Sequence, residues 1–281
     1  MDKYIVKNEE ELLSFLKNNV KGSKNNIKSL LTKELVSVND KTVTKYNYLL
    51  KPNDVVSIGA KKIDSNIGRV KIIYEDNDYL VVNKPSGMLT VATEDEKTST
   101  SNLYSILSSY VKKKNSSAKI YVVHRLDKDT SGVLLFCKNE RIKDELQDKW
   151  NDIAKRTYYA VVNGITKDKE VLKSYLKEND KLMTYSSKDG KLAITEYERI
   201  KHNDKYSLLK ILIKTGRRNQ IRVQLKDIGH SIAGDSKYGY KDKSIKRMML
   251  HAYELEIVNP INKKIMKFNC KYDSTFDNMV K

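Results

Sequence analysis

The chain has 281 residues and a formal net charge of +18, from 54 lysines and arginines against 36 aspartates and glutamates. This length and a hydrophobic content of 39% exclude a disordered chain and leave room for about two domains. The charge excess favours a polyanionic partner such as nucleic acid, although lysine-rich solvated surfaces alone would also produce it.

Neither a disulfide framework, a zinc site nor a membrane segment is indicated. The two cysteines, Cys137 and Cys270, lie far apart in the chain, which is typical of reduced thiols inside cells. The four histidines lack the spacing of metal ligands. Because no apolar run approaches the ~20 residues that cross a bilayer, we expect a cytoplasmic protein that binds neither a metal nor a membrane.

Residues 1–60 are predicted to form a small α+β domain. Apolar residues recur with helical spacing over 9–20, and 23–31 is typical of a second helix with a basic start. Short strands are expected at 35–38, 42–43 and 55–58. This order resembles the alpha-L RNA-binding module, and the resemblance implies that Lys24 and Lys28 contact RNA phosphates. The alternative is an α+β cap whose lysines only keep it soluble.

A second domain is expected over 71–281, after a polar linker at 61–70. It begins with a predicted hairpin at 72–82, and a helix is expected around 103–111. Between them, Asn83-Lys84-Pro85-Ser86-Gly87 is typical of a tight loop. The Lys84 side chain either contacts the RNA backbone or only flanks this turn.

Ten residues around a carboxylate form the most distinctive segment of the chain. They are Val123-His124-Arg125-Leu126-Asp127-Lys128-Asp129-Thr130-Ser131-Gly132. The final Thr-Ser-Gly is a turn signal, and the apolar run at 133–137 predicts a buried strand. Asp127 is therefore expected on a loop anchored by a core strand, a common position for catalytic residues. Asp129 is assigned to loop structure or to solvent.

The remaining elements are predicted from periodicity and punctuation. They are a helix at 140–150 capped by Asn139, a strand at 154–164, a charged irregular stretch at 165–190, strands at 192–200 and 206–215, a helix after 216–219, and strands at 255–258 and 265–268. Asn219 is expected near the N-cap of the helix that carries Arg222. Arg218 and Arg222, four positions apart, are expected to share one face.

Four segments, in this order and spacing, resemble the RluA-type pseudouridine synthases. They are 83–88, 124–132, 157–164, and the set formed by 216–222, 234–239 and 250–252. The resemblance implies an α+β fold whose central sheet is mixed but largely antiparallel, with flanking helices and a preceding alpha-L domain. Asn219, Gln224 and Ser231 replace residues that are usual in the family, which puts substrate choice in question more than activity.

The resemblance implies an isomerase that converts uridine in structured RNA to pseudouridine without a cofactor. Asp127 is the implied catalytic carboxylate, and three roles stay open for it: attack on the ribose, addition to the ring, or removal of a ribose proton. Arg222 is implied to pair with Asp127, and a guanidinium within ~4–6 Å would keep the carboxylate charged. Tyr158 is implied to stack on uracil, while Tyr159 is expected to face the other side of the strand and to fill the core.

Four further residues are assigned to RNA or substrate binding by the same resemblance. Arg125 either fills the space left by the flipped base or contacts phosphate only. Ile221 and Leu250 form the apolar wall of the pocket or pack in the core. His124 is grouped with them and is expected to brace the loop rather than transfer protons.

Two other functions are compatible with parts of the sequence. One is a non-catalytic RNA-binding assembly factor on the same fold, against which the intact Asp127, Tyr158 and Arg222 argue. The other is a hydrolase, which needs a second carboxyl group ~5–9 Å from the first, and Asp127 has no clear partner of that kind. We expect a monomer that acts on large-subunit ribosomal RNA, with transfer RNA as the alternative substrate.

Overall fold

The computed structural model describes residues 2–20, 22–32, 35–39, 41–58, 66–92, 102–240, 242 and 244–281. The chain divides into two compact units, Met1–Ser65 and Asn66–Lys281. Part of the predicted linker, residues 61–65, lies outside the described residues. Within the described ranges, no helix is long and apolar enough to cross a membrane.

The first unit is a small α+β fold. Its elements are β1 (Asp2–Ile5), β2 (Glu10–Glu11), α1 (Leu12–Asn19), α2 (Lys24–Thr32), β3 (Val36–Val38), β4 (Lys41–Thr42), β5 (Leu49–Leu50) and β6 (Val55–Ile58). Four antiparallel strands pair in the order β1-β6-β3-β4, and β2 pairs with β5. Leu12, Phe15 and Leu16 of α1 are all buried in the core, as the spacing of a helix facing a sheet requires.

The second unit is built on one large sheet. Its strands are β7 (Asn66–Ile67), β8 (Val70–Glu75), β9 (Tyr79–Lys84), β10 (Tyr121–Val122), β11 (Ser131–Cys137), β12 (Ala154–Asn163), β13 (Lys169–Glu178), β14 (Thr184–Ser186), β15 (Lys191–His202), β16 (Tyr206–Ile213), β17 (Leu250–Val258) and β18 (Ile265–Asn269). Its helices are α3 (Leu103–Lys114), α4 (Glu140–Asp148), α5 (Trp150–Ile153), α6 (Gln220–Asp227) and α7 (Thr275–Asn278).

The strand order of this sheet is β14-β13-β15-β16-β12-β17-β11-β9-β8-β7, with β10 on β11 and β18 on β17. Among the described strands, β11 and β17 run parallel and the other pairs run antiparallel. The expected α+β fold with a mixed, largely antiparallel sheet is therefore confirmed.

Strand β11 lies near the middle of the sheet, and all 7 of its residues are buried. Helix α4 covers one of its faces, since Ile142 and Leu146, four positions apart, pack in the same cluster as Val133 and Leu135. Burial of each such aliphatic side chain contributes about 1.5–3 kcal/mol. The loop that precedes β11 is thus anchored to a fully buried strand of the sheet.

Three local predictions were wrong. The stretch 165–190 is not irregular, because it contains the 10-residue strand β13 and the short strand β14. The helix predicted at 140–150 ends at Asp148, and a separate short helix begins at Trp150. The turn expected at Thr130-Ser131-Gly132 is not formed there, since Ser131 and Gly132 already belong to β11.

Candidate active site

A cavity of about 900 Å³ opens in the second unit. It is lined by the loop between β10 and β11, by β12, and by the first turn of α6 with the residues before it. Strand β17 lies between β11 and β12, pairing Gly132 with Ala252 on one side and Tyr158 with Ala252 on the other. This strand order brings the Asp127 loop beside Tyr158, although 31 positions of chain separate them (158 − 127).

Side chains from neighbouring segments hold the Asp127 loop in place. The turn itself closes with a hydrogen bond from the Thr130 amide to the Asp127 carbonyl, at 3.2 Å. Thr90 Oγ1 donates to the Leu126 carbonyl at 2.9 Å, and Ser86 Oγ donates to the Asp129 carbonyl at 2.7 Å. The loop is therefore fixed on both sides of Asp127.

Lys84 also holds the Asp127 loop in place, and its side chain does not contact solvent. Its side chain is fully buried, and Nζ donates to the carbonyls of Pro85 at 3.2 Å, Met88 at 2.7 Å and Lys128 at 2.9 Å. Burial lowers the pKa of Lys84 to about 7, against the opposing charge of Asp127. The prediction of a contact with the RNA backbone is therefore wrong, because all three ammonium hydrogens are used inside the protein.

Gly132 allows the close packing of the two parallel strands. Its φ is +122°, and a Cβ built at this position would lie 2.2 Å from the carbonyl oxygen of Ala252. A side chain would push β11 away from β17 and would move the Asp127 loop away from Leu250. The glycine that ends the motif is thus explained by a close approach of two backbones.

Arg222 contacts two carboxylates. Its Nη1 lies 3.0 Å from Asp127 Oδ2, while Nε and Nη2 donate to the two oxygens of Asp235 at 2.7 and 2.9 Å. Asn219 Oδ1 accepts a further bond from Nη1 at 2.9 Å. The two-point contact with Asp235 fixes the plane of the guanidinium, so one N–H is aimed at Asp127.

The charges of this network reinforce one another. Burial works against the charge of Arg222, but the hydrogen bonds and charge of Asp235, followed by those of Asp127, outweigh it and raise the pKa of Arg222. Burial likewise works to raise the pKa of Asp235, which Arg222 and the backbone amides of Lys237 and Tyr238 nevertheless bring below its usual value. Arg222 is thus a permanent cation beside Asp127.

Asn219 and Tyr238 complete the support of Arg222. Asn219 occupies the N-cap position of α6 with a left-handed φ of 50°, and its side chain makes no capping bond. It instead donates through Nδ2 to the Tyr238 hydroxyl at 3.0 Å, and the Arg222 guanidinium lies over the Tyr238 ring at 4.9 Å. Arg218 precedes the helix and pairs with Glu178, so the prediction that Arg218 and Arg222 share one helical face was wrong.

Tyr158 presents its ring to the cavity. It is 8% exposed, and no described residue makes a hydrogen bond to its hydroxyl. Burial, with a smaller contribution from Asp127 and against the opposing charge of Arg156, raises the pKa of Tyr158 to about 12. Ile221 and Leu250 also line the cavity and are 6% and 3% exposed, so they supply an apolar wall.

Tyr159, the neighbour of Tyr158, lies on the other face of the sheet. Its ring packs at 5.0 Å from Tyr253 and at 5.0 Å from Tyr272. It is only half-buried, so the prediction that Tyr159 fills the core was wrong, and it belongs to an aromatic cluster near the surface. The alternation of a strand separates the two adjacent tyrosines, as expected.

His124 is held by the protein itself. Its Nε2 accepts from the Leu135 amide at 3.2 Å, and its ring stacks on Trp150 at 4.6 Å. Burial, helped by the charge of Arg156, lowers the pKa of His124 to about 3. These contacts brace the loop, and they give no support to grouping His124 with the RNA-binding residues. Arg125, next in the chain, is exposed at the rim of the cavity.

The two lysines assigned to RNA in the first unit lie on α2. Lys28 is exposed. The side chain of Lys24 lies outside the described part of the structure. Both remain predictions of phosphate contact.

Sequence reasoning missed Asp235, which holds Arg222 in place, and Arg156, which lines the cavity. Asp235 stands in a Gly-Asp-Ser-Lys stretch, where a carboxylate is typical of a turn. Arg156 stands in a basic approach to a strand, which is typical of a solvated face. Its two-residue offset from Tyr158 was the signal that could have placed it on the same side of the sheet.

Residues 78–227 match the family described as RNA pseudouridylate synthase. A Bacillus subtilis protein named "Uncharacterized RNA pseudouridine synthase YhcT" is 31% identical over 95% of this chain and 91% of its own. "Ribosomal large subunit pseudouridine synthase D" of Borreliella burgdorferi is 37% identical over 75% of this chain and 69% of its own.

Two further similarities agree with these. "Ribosomal large subunit pseudouridine synthase C" of Buchnera aphidicola is 32% identical over 88% of this chain and 84% of its own. The structure of "Human RNA Pseudouridylate Synthase Domain Containing 1" superposes with a TM-score of 0.61 over 76% of this chain and 87% of that one, at 22% identity, and supports the fold. This chain belongs to the RNA pseudouridylate synthase family.

Proposed function

We propose that Asp127 is the catalytic carboxylate of uridine isomerisation in this chain, with Tyr158 as the platform for the ring and Arg222 as the group that orients Asp127. The observation that carries this proposal is the 3.0 Å contact between Arg222 Nη1 and Asp127 Oδ2 in the cavity that Tyr158 lines. The reaction breaks the bond between the ribose anomeric carbon and N1 of uracil, and it joins the same carbon to C5. The C5 proton leaves and N1 gains one, so no group is lost and no electron is transferred.

The Asp127 carboxylate has one oxygen engaged and one available. Oδ2 faces Arg222, whereas Oδ1 accepts no hydrogen bond from any described residue. The side chain is 31% exposed, toward a cavity that holds an aromatic face and an apolar wall. An ionised oxygen held in one direction is what each of the three open roles requires, whether the target is the ribose carbon, the ring or a ribose proton.

The target uridine must leave its stack to reach Asp127, which costs a few kcal/mol. Arg125 stands exposed at the cavity rim, directly before Leu126 and Asp127. A guanidinium at this place has a planar surface that stacks on bases and hydrogen-bonds at its edge. Arg125 is therefore proposed to occupy the space that the flipped base leaves.

Large-subunit ribosomal RNA is the proposed substrate. Two of the relatives are named as ribosomal large subunit synthases. The first unit, with its resemblance to the alpha-L module and the exposed Lys28 on α2, is proposed to add affinity for structured RNA through phosphate contacts. Transfer RNA is the alternative substrate.

Pseudouridine mapping in total RNA from cells with and without the gene tests this proposal. We expect one or a few uridines of large-subunit ribosomal RNA to lose their modification when the gene is absent, and to regain it on complementation. Loss confined to transfer RNA would replace the proposed substrate by the alternative. Identical maps with and without the gene would contradict the proposed function.

A further inference from the structure

Arg156 is a buried cation that the chemistry described above does not use. It lies on β12 two positions before Tyr158, so both side chains project from the same face of the strand. It is only 5% exposed, and it lines the same cavity as Tyr158 and Asp127.

Within the described ranges, Arg156 has almost no partners of its own. Nη2 donates to Asn151 Oδ1 at 3.1 Å, while Nε is buried and has no hydrogen-bond partner. No described carboxylate forms an ion pair with it, whereas Arg222, which is 7% exposed, pairs with two. An isolated buried charge is costly, and burial lowers the pKa of Arg156.

The surroundings make room for this cation without neutralising it. A Cβ at Gly216 would lie 2.6 Å from Arg156 Nη1, so the glycine leaves the space that the guanidinium occupies. The titratable neighbours are His124, whose pKa is lowered to about 3, and Tyr158, whose pKa is raised to about 12. Both are uncharged near neutral pH, and neither offsets the charge of Arg156.

We propose that Arg156 binds a backbone phosphate of the RNA strand beside the target uridine. This inference rests on the proposed function, because it places the target nucleotide in this cavity. A phosphodiester supplies the full negative charge that the protein does not, and its oxygens match the guanidinium fork. A uracil carbonyl, being neutral, would leave the buried charge uncompensated.

The spacing along β12 suits a single nucleotide. Residues at positions i and i+2 of a strand stand about 7 Å apart, so one nucleotide reaches both side chains, with its ring on Tyr158 and its phosphate at Arg156. Arg125 lies at the rim of the same cavity, where the rest of the strand enters. Arg156 would thus hold the nucleotide at the inner end of the cavity while the reaction proceeds at Asp127.

The test combines a protein variant with a change in the RNA. The probe is a synthetic RNA fragment around a uridine that mapping identifies and that the wild-type chain converts. Each phosphate flanking this uridine is replaced in turn by an uncharged methylphosphonate. We expect one replacement to lower the wild-type kcat/KM at least tenfold. Arg156→Gln should lose a similar factor on unmodified RNA, and the same methylphosphonate should then cost it less than about twofold.

A matched control is Lys155→Gln, which removes a positive charge from the other face of the same strand. Lys155 is exposed and pairs with Glu256 at 3.1 Å, so its loss should leave the methylphosphonate effects unchanged. The melting temperature of free Arg156→Gln should not fall, since an uncompensated buried charge is removed. Arg156→Lys keeps the charge and should recover part of the activity.

Several outcomes would overturn the inference. One is that no flanking methylphosphonate lowers the wild-type kcat/KM, a result that does not depend on whether any variant folds. Another is that, for every flanking phosphate, the factor by which Arg156→Gln lowers kcat/KM and the factor by which the methylphosphonate lowers it simply multiply. The two changes would then act independently. A lower melting temperature with unchanged kcat/KM would assign Arg156 a purely structural role. If the wild-type chain converts no RNA at all, the proposed function fails and this inference fails with it.

Discussion

Replacing Asp235 by asparagine removes the carboxylate that holds the Arg222 guanidinium in place. Asp235 is 1% exposed and accepts bonds from Arg222 through both oxygens, at 2.7 and 2.9 Å. Asparagine retains one acceptor oxygen but presents an amide donor in place of the other. The variant therefore loses the opposite charge and one of the two hydrogen bonds, while Asp127 and Asn219 still contact the guanidinium.

The size of the expected loss in the free energy of unfolding follows from the burial of both Asp235 and Arg222. Breaking a buried ion pair by removing one member costs about 3–5 kcal/mol. Because Asp127 remains as a second carboxylate, we expect a loss near the lower end, about 3 kcal/mol in the free energy of unfolding at neutral pH. The matched control is Glu178→Gln, whose partner Arg218 is 45% exposed. An exposed pair of this kind contributes at most about 1 kcal/mol.

The pH dependence has a definite sign. Burial works to raise the pKa of Asp235, but Arg222 outweighs it, and the pKa in the folded state is lowered. A lowered carboxyl pKa stabilises the fold above the pKa of the unfolded state, about 3.9 for aspartate. This stability is lost as the pH falls through the folded value. The difference between wild type and Asp235→Asn should therefore be complete at pH 5–7 and should shrink below about pH 4.

Urea unfolding measured by tryptophan fluorescence checks these values. Trp150 is the single tryptophan of the chain, and it stacks on His124 beside the cavity, so its signal reports on the second unit. Asp235→Asn should lose about 3 kcal/mol and should turn over substrate more slowly. A loss of stability in Asp235→Asn no larger than in Glu178→Gln, or a difference from wild type that persists unchanged at pH 3, would show that the buried pair of Asp235 with Arg222 does not stabilise the fold in this way.

Substitutions at three other residues separate the roles of the side chains around the site. Tyr158→Phe should keep kcat/KM within about tenfold of wild type, because the aromatic ring remains. Tyr158→Ala should lower kcat/KM about 10- to 100-fold, because stacking on the base is lost. Steady-state kinetics measure both effects. Lys84→Met should lower the free energy of unfolding by about 3 kcal/mol, since the buried carbonyls lose their hydrogen-bond donor. The Kd for RNA should stay within about twofold of wild type. Urea unfolding measures the first quantity and RNA titration the second. If the planar guanidinium, rather than its charge, fills the space left by the flipped base, Arg125→Lys should lose nearly as much kcat/KM as Arg125→Gln. Kinetics of Arg125→Lys close to wild type would instead indicate that Arg125 contacts a phosphate alone.

The sequence predicted the elements whose pattern is local. The apolar run after the Asp127 motif became a central strand, and Asn139 caps α4 by accepting from the Ile142 amide at 3.5 Å. The contact between Arg222 and Asp127 was expected from the family resemblance, and the sheet order brings the two residues together. What the resemblance did not include is how Arg222 is itself held.

Two of the misses concern residues whose burial the local sequence pattern does not show. Strand β13 buries Leu172 and Leu176 but exposes Val171 and Tyr175, so its apolar residues do not alternate and the segment has no clear period. Lys84 is part of a turn motif in the sequence, and only the packing of the Lys128 carbonyl over it shows that it is enclosed. Burial of a charged residue cannot be inferred from its local sequence when its partners lie elsewhere.

Whether Asp127 carries out the chemistry is tested by the variant Asp127→Asn. The measurement is pseudouridine formation by this variant in the RNA that the wild type modifies, together with the Kd for the same RNA. Asparagine has nearly the same shape but no charge and no nucleophilic carboxylate, so we predict no detectable pseudouridine and a Kd within about threefold of wild type, because most of the affinity for RNA comes from phosphate contacts. Pseudouridine formation at the wild-type rate would show that Asp127 does not carry out the chemistry.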